Sequence, residues 1–368
     1  MAQPTLFDPV RIAGLELRNR VVMAPMTRRF SPNGQPTPDV RAYYRRRAEG
    51  GVGAVITEGV AIDHPAALEY GDVPNFYGDA LPLWAEIARD VQAAGAAFIP
   101  QLWHVGAARA LSEAPPNPEA PLLSPSGTYL PGVKVGEPAT ESEIADVVAA
   151  YARSARAAKD IGADGIDIHG AHGFLIDQFL WTGTNERSDG YGGDFDRRLR
   201  LAIEVVSACR AATGPDFPIF FRFSQFKQVD YEVQLFPTPD ELEAFVGPMA
   251  DAGVDVFDCS QRRFWEPEFE GSDLNLAGWT KKLSGRLAMT VGSVGLDVDA
   301  AVSLGDGSAV ARAVSLDRLD AMLARGDFDL VAVGRAILAD SDWVEKVRSG
   351  KAAAEFAPFT RSQLSTLA

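Results

Sequence analysis

The sequence predicts a closed (β/α)8 barrel, and three observations carry that expectation. Short apolar runs of strand length occur eight times in the 368 residues. Amphipathic helical stretches separate them, the β-then-α rhythm of a parallel sheet. No GxGxxG follows the first run, which disfavours the runner-up, a doubly wound open sheet. Length alone suggests two domains, but a barrel of this size is commonly one, so 1–368 reads as a single domain.

The elements follow in order. Residues 9–20, PVRIAGLELRNR, read as a β-hairpin around Gly14. The eight runs are 21–25, 54–58, 97–103, 165–169, 219–223, 254–259, 287–291 and 330–333. Thr37-Pro38 and Thr238-Pro239 each set a capping hydroxyl before a proline at the first helical position. Thr238 with Glu241, and Thr140 with Glu143, fit the capping box. Helix 141–160 repeats Ile144, Val147, Val148 and Tyr151 along one face. Pro100 removes a ladder donor inside the third strand, so a bulge or shortened pairing is expected there. Two insertions break the rhythm, a proline-rich excursion at 104–140 and a second at 294–314. Loops this long are uncommon unless functional.

Composition narrows the partners. The net charge of -15 argues against nucleic acid or an anionic membrane, both of which need a basic face. A small molecule is the expected partner, for a monomer or a homo-oligomer alike. Cys209 and Cys259 form neither a disulfide framework nor a CxxC metal site and read as reduced buried thiols. No apolar run is long enough to span a bilayer, and MAQPTLFDPV lacks a signal pattern, so a cytoplasmic location is expected.

The chemistry gathers where barrel active sites form, at the C-terminal strand ends. Within DGIDIHGAHGFLIDQFLW, residues 164–181, Ile166 and Ile168 alternate with Asp167 and His169, and His172 follows three residues on. Two imidazoles there can hold a metal, move a proton or hydrogen-bond a carbonyl. The neighbouring strands offer an amide, Gln101, and a guanidinium, Arg222, which would repel a cation, so no metal is expected. Gly292-Ser293 and Gly334-Arg335 end the seventh and eighth strands, where barrels often bind phosphate. Phosphate, amide, hydroxyl and arginine together suit a flavin mononucleotide. Gln101 can serve the N3/O2 edge of the ring and Thr27 can donate to O4. Arg222 can balance charge near N1.

From LFDPVRIAGLELRNRVVMAPMTR through ITEG, QLWHVG, DGIDIHGAHGFLIDQFL and NERSDGYGG to DLVAVGRAILAD, the chain resembles the old yellow enzyme family of FMN-dependent ene-reductases. The resemblance implies a (β/α)8 barrel whose N-terminal hairpin closes the bottom. It implies a ping-pong cycle in which NAD(P)H reduces FMN and an electrophilic alkene then takes its place. It puts the carbonyl-binding pair on His169 and His172. It puts flavin contacts on Pro25, Met26, Thr27, Gly59, Gln101, Arg222, Gly292, Ser293, Gly334 and Arg335, and a substrate neighbour on Trp103. The family's tail often lines the pocket, but 356–360 departs from its aromatic pattern and is not assigned to the site.

One departure bears on mechanism. The family's proton-donating tyrosine, two residues after the second histidine position, is here Phe174. Either another donor serves, with Tyr70, Tyr129, Tyr231 and water as candidates, or the preferred acceptors need none. Nitroalkenes and quinone-like acceptors are of that kind. Phe174 also makes that face of a substrate pocket more apolar. The alternatives are a flavin-dependent dehydrogenase or isomerase without net NAD(P)H use, and a non-catalytic flavin-binding barrel.

Overall fold

A computed structural model describes residues 3–305 and 309–368. Residues 306–308 of the 294–314 insertion, and the first two residues, lie outside it.

Twelve strands are described. β1 (Val10–Ile12) and β2 (Leu15–Leu17) form the expected hairpin, with Val10 opposite Leu17. The eight expected barrel strands are β3 (Val21–Met23), β4 (Ala54–Ala61), β5 (Ala97–Trp103), β8 (Ile166–His169), β9 (Ile219–Ser224), β10 (Val256–Ser260), β11 (Leu287–Val291) and β12 (Leu330–Val333). They close in the order β10-β11-β12-β3-β4-β5-β8-β9. The remaining two, β6 (Thr128–Leu130) and β7 (Val133–Lys134), pair antiparallel within the proline-rich excursion, which also carries a 3-10 turn over Gly106–Leu111.

Strand alternation builds two cores. Val22, Ala54, Ile56, Ala97, Ile99, Phe220, Val256, Met289, Leu330 and Ala332 fill the barrel interior, and Val10, Ile12 and Leu17 of the hairpin pack into the same cluster. The hairpin therefore stoppers the N-terminal end of the barrel. The intervening residues, among them Val21, Val55, Phe98, Ile166, Phe221, Phe257, Val331 and Val333, pack outward against the helices. A parallel strand buried on both faces needs this continuous apolar character.

The start signals act as read. Thr37, Thr140 and Thr238 accept from the backbone N–H groups of Val40, Glu143 and Glu241, and the last two complete capping boxes. Pro100 has the expected effect. The β4–β5 register slips between Ile56 and Gly59, so Thr57 and Glu58 together stand opposite Pro100. Pairing of β5 with β8 shortens to Gln101 with Asp167 and Leu102 with Ile168. The sixth strand starts at Val256, two residues later than its apolar run; just before it the Asp255 carboxylate accepts from Arg210 and from the Ile219 N–H.

Candidate active site

At the C-terminal rim of the barrel lie two hollows of about 240 and 410 Å3. Pro25, Met26, His172, Arg222, Gln228, Leu304 and Arg335 border both, so they are arms of one cleft. Gly292, Ser293 and Gly334 line the smaller arm, and Thr27, Gly59, Gln101, Trp103, His169 and Phe174 the larger. Every flavin, carbonyl and substrate contact expected from the sequence thus borders this cleft.

The β8 turn places the imidazoles. His169 ends the strand and His172 stands at φ 68°, with Gly173 at φ 86°. A left-handed histidine persists only where its surroundings hold it, and here several groups do. Its N–H donates to Ser224 Oγ at 3.1 Å and its carbonyl accepts from Gln228 at 3.3 Å. The Gly173 N–H donates to Asp177 Oδ2 at 2.6 Å, and Lys227 Nζ donates to Asp177 Oδ1 at 2.6 Å. Both side chains of that ion pair are fully buried. Gln178 Nε2 donates to the Gly173 carbonyl at 2.7 Å.

The rings then meet edge to face. His169 and His172 centroids lie 5.2 Å apart at 89°. Phe174 stands edge-on to Trp103 at 4.8 Å and to His169 at 5.1 Å. His169 Nδ1 accepts from the Ala171 N–H at 3.3 Å, which leaves the proton of a neutral ring on Nε2. His172 Nε2 lies 2.8 Å from Ser260 Oγ, which also accepts from Arg222 Nη2 at 3.3 Å. Ser260 Oγ keeps a second lone pair, so which group donates in that contact follows the tautomer of the His172 ring.

Beneath the rings runs a buried polar network. Gln101 Nε2 donates to Asp167 Oδ2 at 2.7 Å, and Arg222 Nη1 donates to Asp258 Oδ2. Two carboxylates share one guanidinium, so both cannot ionise cheaply. Burial raises both carboxyls, and the charge of Asp258 raises Asp167 further. Asp258 bonds Arg222 directly whereas Asp167 bonds Gln101, and Oδ1 of each carboxyl has no hydrogen-bond partner among the described residues; burial, with the Asp258 charge, pushes Asp167 up to about 7. Burial, with the cations Arg222 and Lys227 nearby, keeps His169 and His172 well below the usual imidazole range, so both stay neutral.

Comparison with known proteins gives the family. The model of the NADH:flavin oxidoreductase / NADH oxidase family matches residues 5–354. The chain belongs to this family, that of the old yellow enzymes. A metal reductase of Desulforamulus reducens is 32% identical over 94% of this chain, and the chain spans 49% of that protein's length. The chain likewise spans about half of an NADH oxidase from Thermoanaerobacter brockii. A chanoclavine-I aldehyde reductase of Penicillium roqueforti is 31% identical over 97% of this chain and 92% of its own. The fold is that of morphinone reductase in complex with tetrahydroNAD, with TM-score 0.79 and 24% identity, covering 99% of this chain and 97% of the other.

FMN is the cofactor of this family, and the residues of this chain fit it. Gly292, at φ 134°, has no room for a side chain, since a Cβ would fall 2.4 Å from the Gln261 carbonyl oxygen. Arg335 Nη2 donates to Ser293 Oγ at 3.2 Å, and its guanidinium also reaches Ser303 Oγ and the Val298 carbonyl. Among the described residues it has no carboxylate partner within ion-pair distance. A partly desolvated cation at the phosphate end is what an anion would neutralise. At the other end Gln101 keeps its Oε1 and one N–H for a ligand, since only one N–H goes to Asp167.

Of the tyrosines considered as donors, Tyr70 borders the larger arm and Tyr231 the smaller, stacked on Phe226, whereas Tyr129 borders neither. Phe359 is buried, its backbone paired with Ala311, and it is Leu364 that reaches the cleft. The sequence reading missed Asp258, Asp177, Lys227, Ser260 and Glu58. Glu58 Oε2 accepts the Arg28 and Arg29 N–H groups at 2.8 and 3.2 Å and so holds the turn after Thr27. Asp258 left a visible signal, a lone carboxylate inside the apolar run VDVFDCS.

Proposed function

We propose that this chain reduces activated C=C bonds, those of enones, nitroalkenes and quinone-like acceptors, with NAD(P)H as electron source in ping-pong order. The observation that carries this reading is the pair of neutral imidazoles beside the apolar wall of Trp103 and Phe174, over the amide and guanidinium of Gln101 and Arg222. Bound FMN would supply the hydride-transfer chemistry between the nicotinamide and the acceptor.

The chain's own residues do the rest. Arg335, Ser293 and the open Gly292 and Gly334 backbone hold the phosphate. Gln101 and Arg222 hold the polar edge of the ring, with Pro25, Met26, Thr27 and Gly59 lining its seat. His169 donates Nε2–H, and His172 its ring N–H, to the acceptor's carbonyl or nitro oxygen. That oxygen gains negative charge as the β-carbon is reduced, so the two donors stabilise the transition state more than the ground state. Neutral donors suit a site where Arg222 already supplies the positive charge. Trp103 and Phe174 exclude water from the substrate face.

The test is direct. Purified protein should show an oxidised-flavin spectrum, bleach anaerobically with NADPH or NADH, and recolour with cyclohexenone or a nitroalkene. A colourless protein that takes up no added FMN would overturn the reading. Recolouring by no alkene would favour the dehydrogenase or isomerase alternative, which Phe174 keeps open.

A further inference from the structure

With phenylalanine at 174, the acid that completes alkene reduction must come from elsewhere in the larger arm. The titratable groups bordering that arm are Arg29, Glu69, Tyr70, His169, His172, Arg222 and Arg335. The arginines do not release protons in this range. His169 and His172 are neutral and committed to the acceptor oxygen. That leaves Glu69 and Tyr70, neighbours on the loop that follows β4. We propose that Glu69 is the proton donor, delivering its carboxyl proton to the α-carbon of the reduced alkene.

Three observations support it, together with the proposed alkene reductase function on which it rests. Glu69 borders the same hollow as His169, Trp103 and Phe174, and among the described residues its carboxyl has no hydrogen-bond or ion-pair partner, so it is free to turn toward a ligand. Its backbone is well anchored: Val105 N–H donates to the Ala67 carbonyl at 3.0 Å, and Arg109 donates to the Leu68 carbonyl. Burial pushes its carboxyl up to about 7, the Arg29 charge opposing. An acid half-protonated near neutral pH is well matched to proton transfer. The Arg29 guanidinium, itself paired with Asp72, lies 3.8 Å from the centre of the Tyr70 ring.

The step balances. The hydride, from NAD(P)H by way of the flavin, forms the C–H bond at the β-carbon, and the π electrons move to the oxygen held by the histidines. The α-carbon then takes the Glu69 proton, so the carboxyl O–H bond breaks, the C=O re-forms and a carboxylate is left. Solvent reprotonates it before the next turnover. Around this carboxyl stand Arg29, Asp72, Tyr70 and Tyr129 on the loop side and His169 and His172 across the hollow.

The experiment is anaerobic reoxidation of the reduced holoenzyme by cyclohexenone and by a nitroalkene, whose nitronate product can be protonated in solution. Glu69→Gln should lower the enone-to-nitroalkene rate ratio by ~10²-fold or more. It should abolish the fall in enone rate above about pH 7. Adding Phe174→Tyr to Glu69→Gln should restore the enone rate, which a merely structural defect would not allow. In the apoprotein, a carboxyl titrating near pH 7 by 13C NMR should vanish in the variant. An unchanged ratio in Glu69→Gln, or loss of enone turnover in Tyr70→Phe alone, overturns the proposal while leaving the alkene reductase reading in place. A parent enzyme that no alkene reoxidises overturns both.

Discussion

At the scale of single residues, the site depends on which nitrogen carries a proton. The Ala171 N–H occupies His169 Nδ1, so this ring can only donate through Nε2. Under the proposed function, removing that donor would remove stabilisation of the developing oxyanion. His169→Ala should slow alkene-driven flavin reoxidation by ~10²–10³-fold, by analogy with oxyanion-hole donors, as read by stopped-flow absorbance. A variant as fast as the parent would show that the acceptor oxygen does not bind there. Both histidines, Gln101 and Arg222 could be singled out in the sequence from residue type and strand-end position, and they border the cleft; Phe174 stood out only against the family resemblance. Glu69 did not stand out. Its significance comes from burial and from what else lines the hollow, and neither is written in the string EYGD.

At the scale of elements, the decisive unit is the turn from β8 into the Leu175–Leu180 helix. That helix is six residues long and buried throughout. So short a helix has little stability of its own, and the Asp177–Lys227 pair ties it to the loop after β9. Cutting one side of a buried pair leaves an unpaired charge. Asp177→Ala should therefore destabilise the protein by about 3–5 kcal/mol, measurable as a lower urea midpoint. It should also release the left-handed backbone of His172, so that FMN-loaded variant loses alkene turnover beyond what stability explains. A variant with the parent's midpoint would show that the pair does not brace the turn. The sequence shows Asp177 and Gln178 as polar residues in an apolar helix, but the partner of Asp177, Lys227, lies fifty residues away. No local pattern joins them.

At the scale of the whole molecule, alternating strand residues split the interior into a barrel core and an outer layer, and the hairpin seals the lower end. The price is a set of acids buried near the upper end. Glu58 is pushed up to about 7 by burial, which outweighs the Arg28 and Arg29 N–H bonds and the Arg28 charge. The folded protein then holds a proton that the unfolded chain releases near 4.5. Between those values the native state binds more protons, so stability falls as pH rises and levels off above about 7. Glu58→Gln keeps a carbonyl acceptor for the two N–H groups and should flatten that slope, as read from urea midpoints across the range. An unaltered slope would show that Glu58 ionises normally.

The sequence by itself determined the barrel, its hairpin stopper, the caps, the irregularity opposite Pro100 and the family, because periodicity, turn chemistry and motif order are local properties. Tertiary structure alone decided how the cleft is electrically set. Only closure of the barrel brings Asp167 from β8 and Asp258 from β10 to one guanidinium on β9, and sets Glu69 across a hollow from His169. Charge regulation depends on distance and desolvation, and both are products of the closed fold.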